Sequence, residues 1–357
     1  MRQTVLLFTL AAAVGLMFSG CKKDDGAAKV AAKEIHWKMA SSFAATTPLI
    51  GDTGPIFSDT LLKVSGGRLD IKFFDPGKLV PGLEVFDSVS KGAVDAGWSS
   101  PGYWIGKIPA TPLFASVPFG PDTAEYLAWI YYGGGLDIWR ELYAKHNLWV
   151  TPCVVIPPEA SGWFHQPITK VEQFKGMKIR FFGLGGKAIQ KLGASEQLLA
   201  AGDIYPALER GVLDATEFSM PSIDEKLGFQ KIAKHYYFPG WHQQASIVEL
   251  MINLNRWNEL SPVDQALVEL SCKETIVRGM TLGEVQQGPA LERIKADGVQ
   301  IHTWSPEILA AFRKATNEVM EEESKNDADF ARAYASFKAF RVGFREWAKL
   351  SRVPVEN

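Results

Sequence analysis

The chain is poor in cysteine and histidine and has little excess charge of either sign. Its 357 residues include three cysteines and six histidines, and the formal net charge is −2. This near-neutral balance argues against nucleic acid or an acidic polymer as a partner. No Gly-x-Ser-x-Gly or His-Glu-x-x-His motif occurs, and His235 and His242 lack the spacing of a zinc site. The commonest hydrolase and zinc-enzyme signatures are therefore missing.

Long apolar runs are also missing, apart from one near the start. Residues 5–18 are apolar and follow Arg2, but they are too few to span a bilayer comfortably, so we predict a signal peptide over 1–20. Its end, Ser-Gly-Cys, resembles the cleavage site of bacterial lipoproteins, which implies a lipid-anchored protein outside the cytoplasm, with Cys21 as the lipidated residue. An ordinary signal peptide is the alternative. Residues 21–33 lack apolar periodicity and predict a tether.

Two cysteines remain after this processing. Cys153 and Cys272 both stand in apolar surroundings. Export permits a disulfide between them, but lone cysteines are more often small buried core residues. We therefore expect two separate core thiols.

Alternating strand, helix and strand patterns predict an α/β fold with two similar lobes. Residues 69–96 and 177–215 echo each other. Each reads as an apolar strand, a Gly turn, a helix, and Gly-x-x-Asp-Ala at the start of another strand. The second copy has Arg180 and Glu217 where the first has Lys72 and Trp98. Charged chemistry is therefore expected in the second lobe.

The chain is predicted to cross between the lobes more than once. The predicted ranges are 34–152 for lobe I, 153–245 for lobe II, and 246–357 for a returning strand and helices that complete both lobes. Pro157-Pro158 ends a buried-strand pattern and marks the first crossing. Repeated crossings make a hinge. The last helical pattern carries Phe337, Phe340, Phe344 and Trp347, and it is expected to pack on another lobe or on a second chain.

Charged residues stand at the ends of three predicted strands. In a mostly parallel sheet, ligands bind beyond the carboxyl ends of the strands, so Glu159, Arg180 and Glu217 are expected on one rim. A planar guanidinium matches a carboxylate with two parallel hydrogen bonds. The alternative is a buried Arg180 paired only with Glu159 or Glu217. We predict that Arg180 binds an organic acid.

The facing lobe offers hydroxyls and aromatic rings. Ser42 and Phe43 follow the first strand, Trp98 ends the third, and Tyr103 lies in the next turn. Such groups orient a small organic acid well. Most tryptophans are expected in the core, and Tyr103 is the strongest candidate of the four.

Four runs resemble the solute-binding proteins of tripartite ATP-independent periplasmic (TRAP) transporters, in the branch that binds 2-oxo acids or lactate with a metal ion. They are residues 112–120, 157–164, 178–183 and 211–218. The resemblance extends over nearly all of residues 34–350. It implies a two-lobed periplasmic binding protein fold with a hinge and long C-terminal helices. It also implies delivery of a small organic acid to membrane permease subunits, and homodimers that exchange C-terminal helices.

The resemblance also implies roles for single residues. The family's matching arginine, here Arg180, grips the substrate carboxylate. Glu217 and the backbone carbonyl of Phe218 hold the cation, and Glu159 stands where another ligand, often an amide, is found. Three negative charges, counting the ligand, would then face Arg180 alone, which favours calcium over sodium. If Glu159 instead turns to the backbone near Trp163 or pairs with Arg180, sodium or no metal suffices.

Two other functions compete with this interpretation. The Gly-rich run 182–188 follows a strand, but it lacks the later acid of a dinucleotide site, and Ala188 stands where a P-loop needs Ser or Thr. A Gly-rich strand-to-helix turn explains this run better than an enzyme site does. A binding protein for a larger organic or sugar acid, without metal, is the remaining alternative.

Overall fold

The computed structural model describes residues 34–352, which form a mixed α/β fold of two sheets. The strands are β1 (Ile35–Ser41), β2 (Leu69–Phe74), β3 (Ala96–Ser99), β4 (Leu148–Ile156), β5 (Gly162–Phe164), β6 (Lys178–Arg180), β7 (Ser195–Gln197), β8 (Ala215–Thr216), β9 (His235–Phe238), β10 (Ser246–Asn253) and β11 (Gln300–Thr303). The helices are α1 (Thr53–Val64), α2 (Val85–Ser90), α3 (Thr123–Tyr132), α4 (Gly135–Ala144), α5 (Gly183–Lys191), α6 (Ala201–Glu209), α7 (Pro221–Leu227), α8 (Leu254–Asn258), α9 (Pro262–Ala296), α10 (Pro306–Asn326) and α11 (Ala328–Ser351).

The expected signal peptide, the tether and Cys21 lie outside the described residues. Among residues 34–352, no helix combines the length and the apolar character that crossing a bilayer requires.

Each sheet forms the centre of one lobe. The first has the order β2-β1-β3-β10-β4, and the second β11-β9-β5-β8-β6-β7. Strand β10 runs antiparallel between β3 and β4, so the chain returns to the first sheet after building most of the second, as predicted. Helix α9 then packs against β4 and α1 in the first lobe and against α7 in the second. Several connections therefore join the lobes, as a hinge requires.

Strand β4 is continuous across positions 152 and 153, where the predicted ranges of lobe I and lobe II meet. All nine of its residues are buried, and they pair with β10 in the first sheet. We therefore propose that the crossing into the second lobe lies at Pro157-Pro158, directly after the strand. Proline lacks an amide hydrogen and cannot extend the ladder of hydrogen bonds.

The three long C-terminal helices begin with sequence signals typical of helix starts. The side chains of Ser261, Ser305 and Asp327 each accept a hydrogen bond from the backbone amide three residues further on. Pro262 and Pro306 occupy the first helical position, where a missing amide hydrogen costs nothing.

The echo between the lobes matches different strands from those that the sequence suggested. In each sheet the first of three parallel strands lies between the next two, as β2-β1-β3 and as β7-β6-β8. One hydrogen bond recurs in both. The amide of Lys38 in β1 donates to Asp95 (3.0 Å), and the amide of Lys178 in β6 donates to Asp214 (2.8 Å). Strand β6 is therefore the counterpart of β1, not of β2.

Matching β6 with β1 corrects one of the two residue matches that the sequence suggested. Arg180 occupies the place of Ala40, and the expected match with Lys72 is wrong. Glu217 does occupy the place of Trp98. It lies one residue after Thr216, the last residue of β8 that pairs with β6. The echo misled because β1 and β2 both alternate apolar with polar residues, a pattern common to half-buried strands.

The expectation of two separate core thiols is wrong. Cys153 and Cys272 form a disulfide, with their Cα atoms 4.3 Å apart. The two residues are 119 positions apart in sequence, and they meet because α9 packs along β4. The local sequence around either cysteine does not predict that packing.

Helix α11 packs on the first lobe, and its fully buried residues lie in its N-terminal half. Phe330 and Phe337 are buried, and the Phe337 ring lies 5.1 Å from that of Trp129 in α3. Further on, Trp347 is 65% exposed and Leu350 is also exposed. Packing on another part of the chain is thus observed, and the dimer stays a prediction.

A carboxylic acid lies in the core of the first lobe. Glu249 in β10 is fully buried, and its Oε1 accepts a hydrogen bond from Trp104 Nε1 (2.7 Å). Burial raises the pKa of Glu249 to about 8, although Trp104 and Tyr143 act to lower it. The folded protein therefore keeps this side chain protonated at neutral pH.

We expect this buried acid to make stability fall as pH rises. Between the ordinary value of 4.5 and about 8, the folded state holds a proton that the unfolded chain has released. The free energy of unfolding should therefore decline with pH, by up to about 1.4 kcal/mol per pH unit. Glu249→Gln has the same shape and cannot ionise, so it should remove this part of the slope. Urea unfolding of both proteins from pH 5 to pH 8 measures the difference, and equal slopes would contradict it.

Candidate ligand and cation site

A small cavity of about 30 Å³ lies where the strand ends of the two lobes meet. Its polar lining residues are Ser100, Tyr103, Glu159, Arg180, Ser219, Gln243 and Ser246. Its apolar lining residues are Phe43, Ile50, Ile156, Phe182, Phe218, Ile247 and Val248. The carboxyl ends of parallel strands gather polar groups at one edge of each sheet, and the two sheets bring these edges together here.

Arg180 ends the short strand β6 and is 1% exposed. Its Nη1 donates to Glu217 Oε2 at 2.8 Å and also to the Glu217 backbone carbonyl. The guanidinium carbon lies 5.0 Å from the centre of the Phe218 ring. Arg180 thus has the buried acid partner that the sequence allowed, and it also lines the cavity.

Glu217 directly follows β8 and is fully buried. Its Oε1 accepts from Gln243 Nε2 (3.1 Å), and His242 Nε2 lies at the same distance from that oxygen. Burial acts to raise the pKa of Glu217, but Arg180 and His242 more than offset it and hold the pKa below the ordinary value. Glu217 is therefore a carboxylate held by several donors.

Glu159 follows Pro157-Pro158 and faces the same cavity. Its Oε1 accepts from Ser219 Oγ (3.3 Å), and its Oε2 is buried without a hydrogen-bond partner among residues 34–352. Burial and the nearby charge of Glu217 raise its pKa well above the ordinary value. The described contacts of this side chain include neither the backbone near Trp163 nor an ion pair with Arg180, so the two alternative positions for Glu159 are not seen.

The acids form a group suited to a cation. Ligand atoms of Glu159, Glu217 and His242 lie within 4.8 Å of one another, and all three residues are buried. Since the buried Oε2 of Glu159 lacks a hydrogen-bond donor, an ion would satisfy it. Carboxylate and carbonyl oxygens suit hard cations, so the predicted ligands fit a group I or group II ion.

A third acid, which sequence reasoning missed, stands behind this group. Asp224 accepts hydrogen bonds from Trp163 Nε1 and Tyr236 OH (2.9 Å each) and from the Ser219 backbone amide (3.0 Å). Burial raises its pKa to about 7 despite these donors. Asp224 fixes the loop that follows Glu217 and so positions that residue.

Sequence reasoning also missed His242 and Gln243, since it notes only that His242 lacks the spacing of a zinc site. Both lie in the segment between β9 and β10, which carries the chain back to the first lobe. Their nearest signal is the run Pro-Gly-Trp-His-Gln-Gln, whose Pro and Gly indicate a turn next to polar side chains.

On the first lobe, Tyr103 and Phe43 line the cavity. Their ring centroids are 5.9 Å apart, and the Tyr103 ring lies 5.2 Å from that of Phe182 in the second lobe. Burial raises the pKa of Tyr103 to about 12, and the charge of Arg180 offsets this only in part. The hydroxyl of Tyr103 therefore stays neutral, with its oxygen near the Arg180 guanidinium.

Ser42 and Trp98 are not among the lining residues. The Ser42 hydroxyl donates to the Gly82 carbonyl (2.6 Å), and the Trp98 indole donates to the Ile50 carbonyl (2.7 Å). Both hydrogen bonds tie separate loops of the first lobe together. These two residues therefore support the cavity wall from behind, and Ser100 supplies the hydroxyl that faces the cavity.

Glycine at position 102 permits the close approach of the lobes. A Cβ atom placed there would lie 2.2 Å from Phe182 Cζ. We expect Gly102→Ala to push Phe182 away and to weaken ligand binding by about 1–3 kcal/mol. Calorimetric titration measures the loss. Gly106→Ala is the matched control, since a Cβ there meets nothing within 4 Å. Equal affinities of the two variants would show that this contact does not limit closure.

Two α/β lobes that enclose a buried arginine and an acid cluster define a ligand-binding protein of the two-lobed periplasmic type. The chain belongs to bacterial extracellular solute-binding protein family 7 (DctP), whose model matches residues 39–326. It is thus a TRAP transporter solute-binding protein, as the sequence resemblance implied.

Individual relatives agree with this assignment. The chain is 34% identical to the monocarboxylate 2-oxoacid-binding periplasmic protein of Nostoc sp. strain PCC 7120, over all of this chain and 98% of that protein. Two crystal structures of TRAP periplasmic solute-binding proteins are similar. The protein from Pseudoalteromonas atlantica, with bound sodium and pyruvate, has a TM-score of 0.86 and 31% identity, covering 89% of this chain and 97% of that one. The protein from Colwellia psychrerythraea, with bound calcium and pyruvate, has a TM-score of 0.85 and 32% identity, covering 89% and 98%.

Proposed function

We propose that the protein captures a small monocarboxylate, a 2-oxo or 2-hydroxy acid such as pyruvate or lactate, together with a metal ion. It then delivers the acid unaltered to the membrane permease subunits. The observation that carries this proposal is the buried guanidinium of Arg180 beside Glu159 and Glu217 at a small cavity between the lobes. The Nostoc relative and the two pyruvate-bound structures support the choice of acid.

Each part of the cavity has a role in this proposal. Arg180 holds the carboxylate of the ligand, and Tyr103 donates a hydrogen bond from the facing lobe. Apolar residues such as Phe43, Phe182 and Ile247 surround the short carbon tail. Among the lining residues Arg180 is the one cation, so a second carboxylate would enter without a partner.

The cation is proposed to bind Glu217, the backbone carbonyl of Phe218, and Glu159. We favour calcium over sodium because the ligand and the two glutamates, if ionised, bring three negative charges against Arg180. The ion would supply a positive charge that attracts the carboxylate of the ligand. His242, beside Glu217, holds that carboxylate in place.

Two finer proposals concern the surroundings of the protein. Cys21 is proposed to carry a lipid that anchors this periplasmic-type protein, with the outer face of the cytoplasmic membrane as one location. The exposed apolar residues of α11, Trp347 and Leu350 among them, are proposed to lie in a homodimer interface. Light scattering tests the dimer, and mass spectrometry of the exported protein tests the lipid.

Calorimetry with a panel of acids tests the proposed function. Pyruvate, lactate, 2-oxoglutarate and galacturonate are titrated into the full chain, and proton NMR follows each acid for turnover. Tight binding of pyruvate or lactate, without chemical change, is the expected result. Preferred binding of galacturonate would favour the alternative of a larger sugar acid without metal. Turnover of any 2-oxo acid would favour the enzyme alternative and overturn the proposal.

A further inference from the structure

A second cavity, of about 340 Å³, lies between α10, α11 and residues 117–119. We call it the α10–α11 cleft. Four cationic side chains line it, and no carboxylate does: the cations are Arg313, Lys338, Arg341 and Arg345. None of these residues lines the acid cavity described above.

Among the described residues, three of the four cations have no acid partner. Arg341 Nε donates to Glu125 Oε1 at 2.8 Å. Among residues 34–352, neither Arg313, Lys338 nor Arg345 has a carboxylate within ion-pair distance. Positive charges that converge on one cleft repel one another, and a bound anion would relieve that repulsion. The cleft is therefore suited to an anion.

Two of the three arginines, Arg313 and Arg341, are already held in place. The Arg313 guanidinium lies 4.0 Å from the centre of the Phe119 ring, and Arg341 Nη1 donates to the Phe119 carbonyl (3.4 Å). Lys338, Arg341 and Arg345 are spaced three and four residues apart, which places them on one face of α11. Planar guanidinium groups bind carboxylates through two parallel hydrogen bonds. Such fixed forks lose little conformational freedom when an anion binds.

The cleft also offers a buried hydroxyl and apolar walls. Thr316 lines it and is 4% exposed, and its Oγ1 has no hydrogen-bond partner among residues 34–352. A buried hydroxyl without a partner costs about 1–3 kcal/mol, and an anionic oxygen would satisfy it. Met320 and Phe337 add apolar surface that packs against carbon. These walls favour an organic anion over an inorganic one.

We propose that the α10–α11 cleft is a second ligand site, which binds an organic polycarboxylate. The three unpaired cations match two or three carboxylates. The first and last cations on α11 are seven residues apart, about 10 Å along the helix axis, so more than one carboxylate is needed to reach both. Inorganic phosphate is also negatively charged but lacks a carbon skeleton. Comparing the binding of phosphate with that of a polycarboxylate therefore shows whether the cleft selects an organic or an inorganic anion.

Calorimetric titration with propane-1,2,3-tricarboxylate, at constant ionic strength, tests this site in the full chain. The variant Lys338→Gln/Arg345→Gln removes two lining cations. The control Lys314→Gln/Lys349→Gln removes two exposed cations on the same helices that do not line the cleft. Saturable binding is expected in the wild type and in the control, with at least a tenfold loss in the lining variant.

Three outcomes overturn the proposal. They are no saturable binding of the tricarboxylate, equal weakening by the lining and control variants, and binding of inorganic phosphate as tight as that of the tricarboxylate. The substituted side chains are exposed, so the thermal unfolding midpoint should stay close to that of the wild type. The same comparison also excludes binding at the acid cavity, since the lining variant leaves Arg180 intact.

Discussion

Replacing Arg180 by alanine is expected to weaken binding of pyruvate or lactate by about 2–5 kcal/mol. The guanidinium is almost fully buried, lines the cavity, and is bound on its other side to Glu217. Its removal leaves the ligand carboxylate and Glu217 together in a dehydrated site without their cation. Isothermal calorimetry with the acid measures the loss directly, and unchanged affinity would show that Arg180 does not hold the ligand.

Since alanine also leaves the buried Glu217 without its arginine partner, we expect the variant to lose stability as well as affinity. Arg180→Lys keeps the positive charge but lacks the planar fork that matches a carboxylate. We expect it to fold with a thermal midpoint near that of the wild type and to bind the acid at least about tenfold more weakly. Arg140→Lys is the matched control, because Arg140 pairs with Glu269 far from the cavity. A tenfold loss in the control would point to a general effect of arginine replacement.

The sequence located the charged half of the site because strand ends obey simple geometry. Glu159, Arg180 and Glu217 each follow or end a strand, and parallel strands present their carboxyl ends at one edge. The alternation of strand and helix is visible in the sequence. This geometry accounts for Arg180 and Glu217, which belong to the second sheet. Glu159 follows β4 of the first sheet, so it meets them only through the way the two lobes pack.

The rest of the site depends on contacts that no local pattern records. His242 and Gln243 reach Glu217 only because the chain returns between the lobes, and Asp224 lies behind it through three hydrogen bonds. Trp98 had the right position in the strand, but its indole bonds to the Ile50 carbonyl instead of facing the cavity. Strand position places a residue at the rim, whereas tertiary packing decides which way its side chain turns.

The fold was predictable in class and less so in detail. The disulfide between Cys153 and Cys272 depends on α9 packing along β4, and the counterpart of β6 depends on strand order. Both are long-range features. Hydrophobic periodicity defines single elements, and it leaves open which elements become neighbours.

The second large effect concerns the cation. We expect removal of calcium and sodium to weaken acid binding by about 3 kcal/mol, because the ligand would then enter beside Glu159 and Glu217 with Arg180 as the one opposing charge. The protein is treated with a calcium chelator in choline chloride buffer, and the acid is titrated by calorimetry. The titration is repeated with calcium and then with sodium. Full affinity with neither ion would show that Glu217 does not bind a metal.

Glu159 decides between the two ions in this scheme. With all three carboxylates ionised, sodium leaves the cluster at −1 and calcium brings it to zero, so calcium should restore affinity further than sodium does. Glu159→Gln keeps the shape and one oxygen ligand but removes one negative charge, which makes sodium sufficient for neutrality. We expect that variant to lose the preference for calcium. A variant that prefers calcium as strongly as the wild type would show that Glu159 does not set the choice of ion, and that the oxygen geometry around Glu217 does.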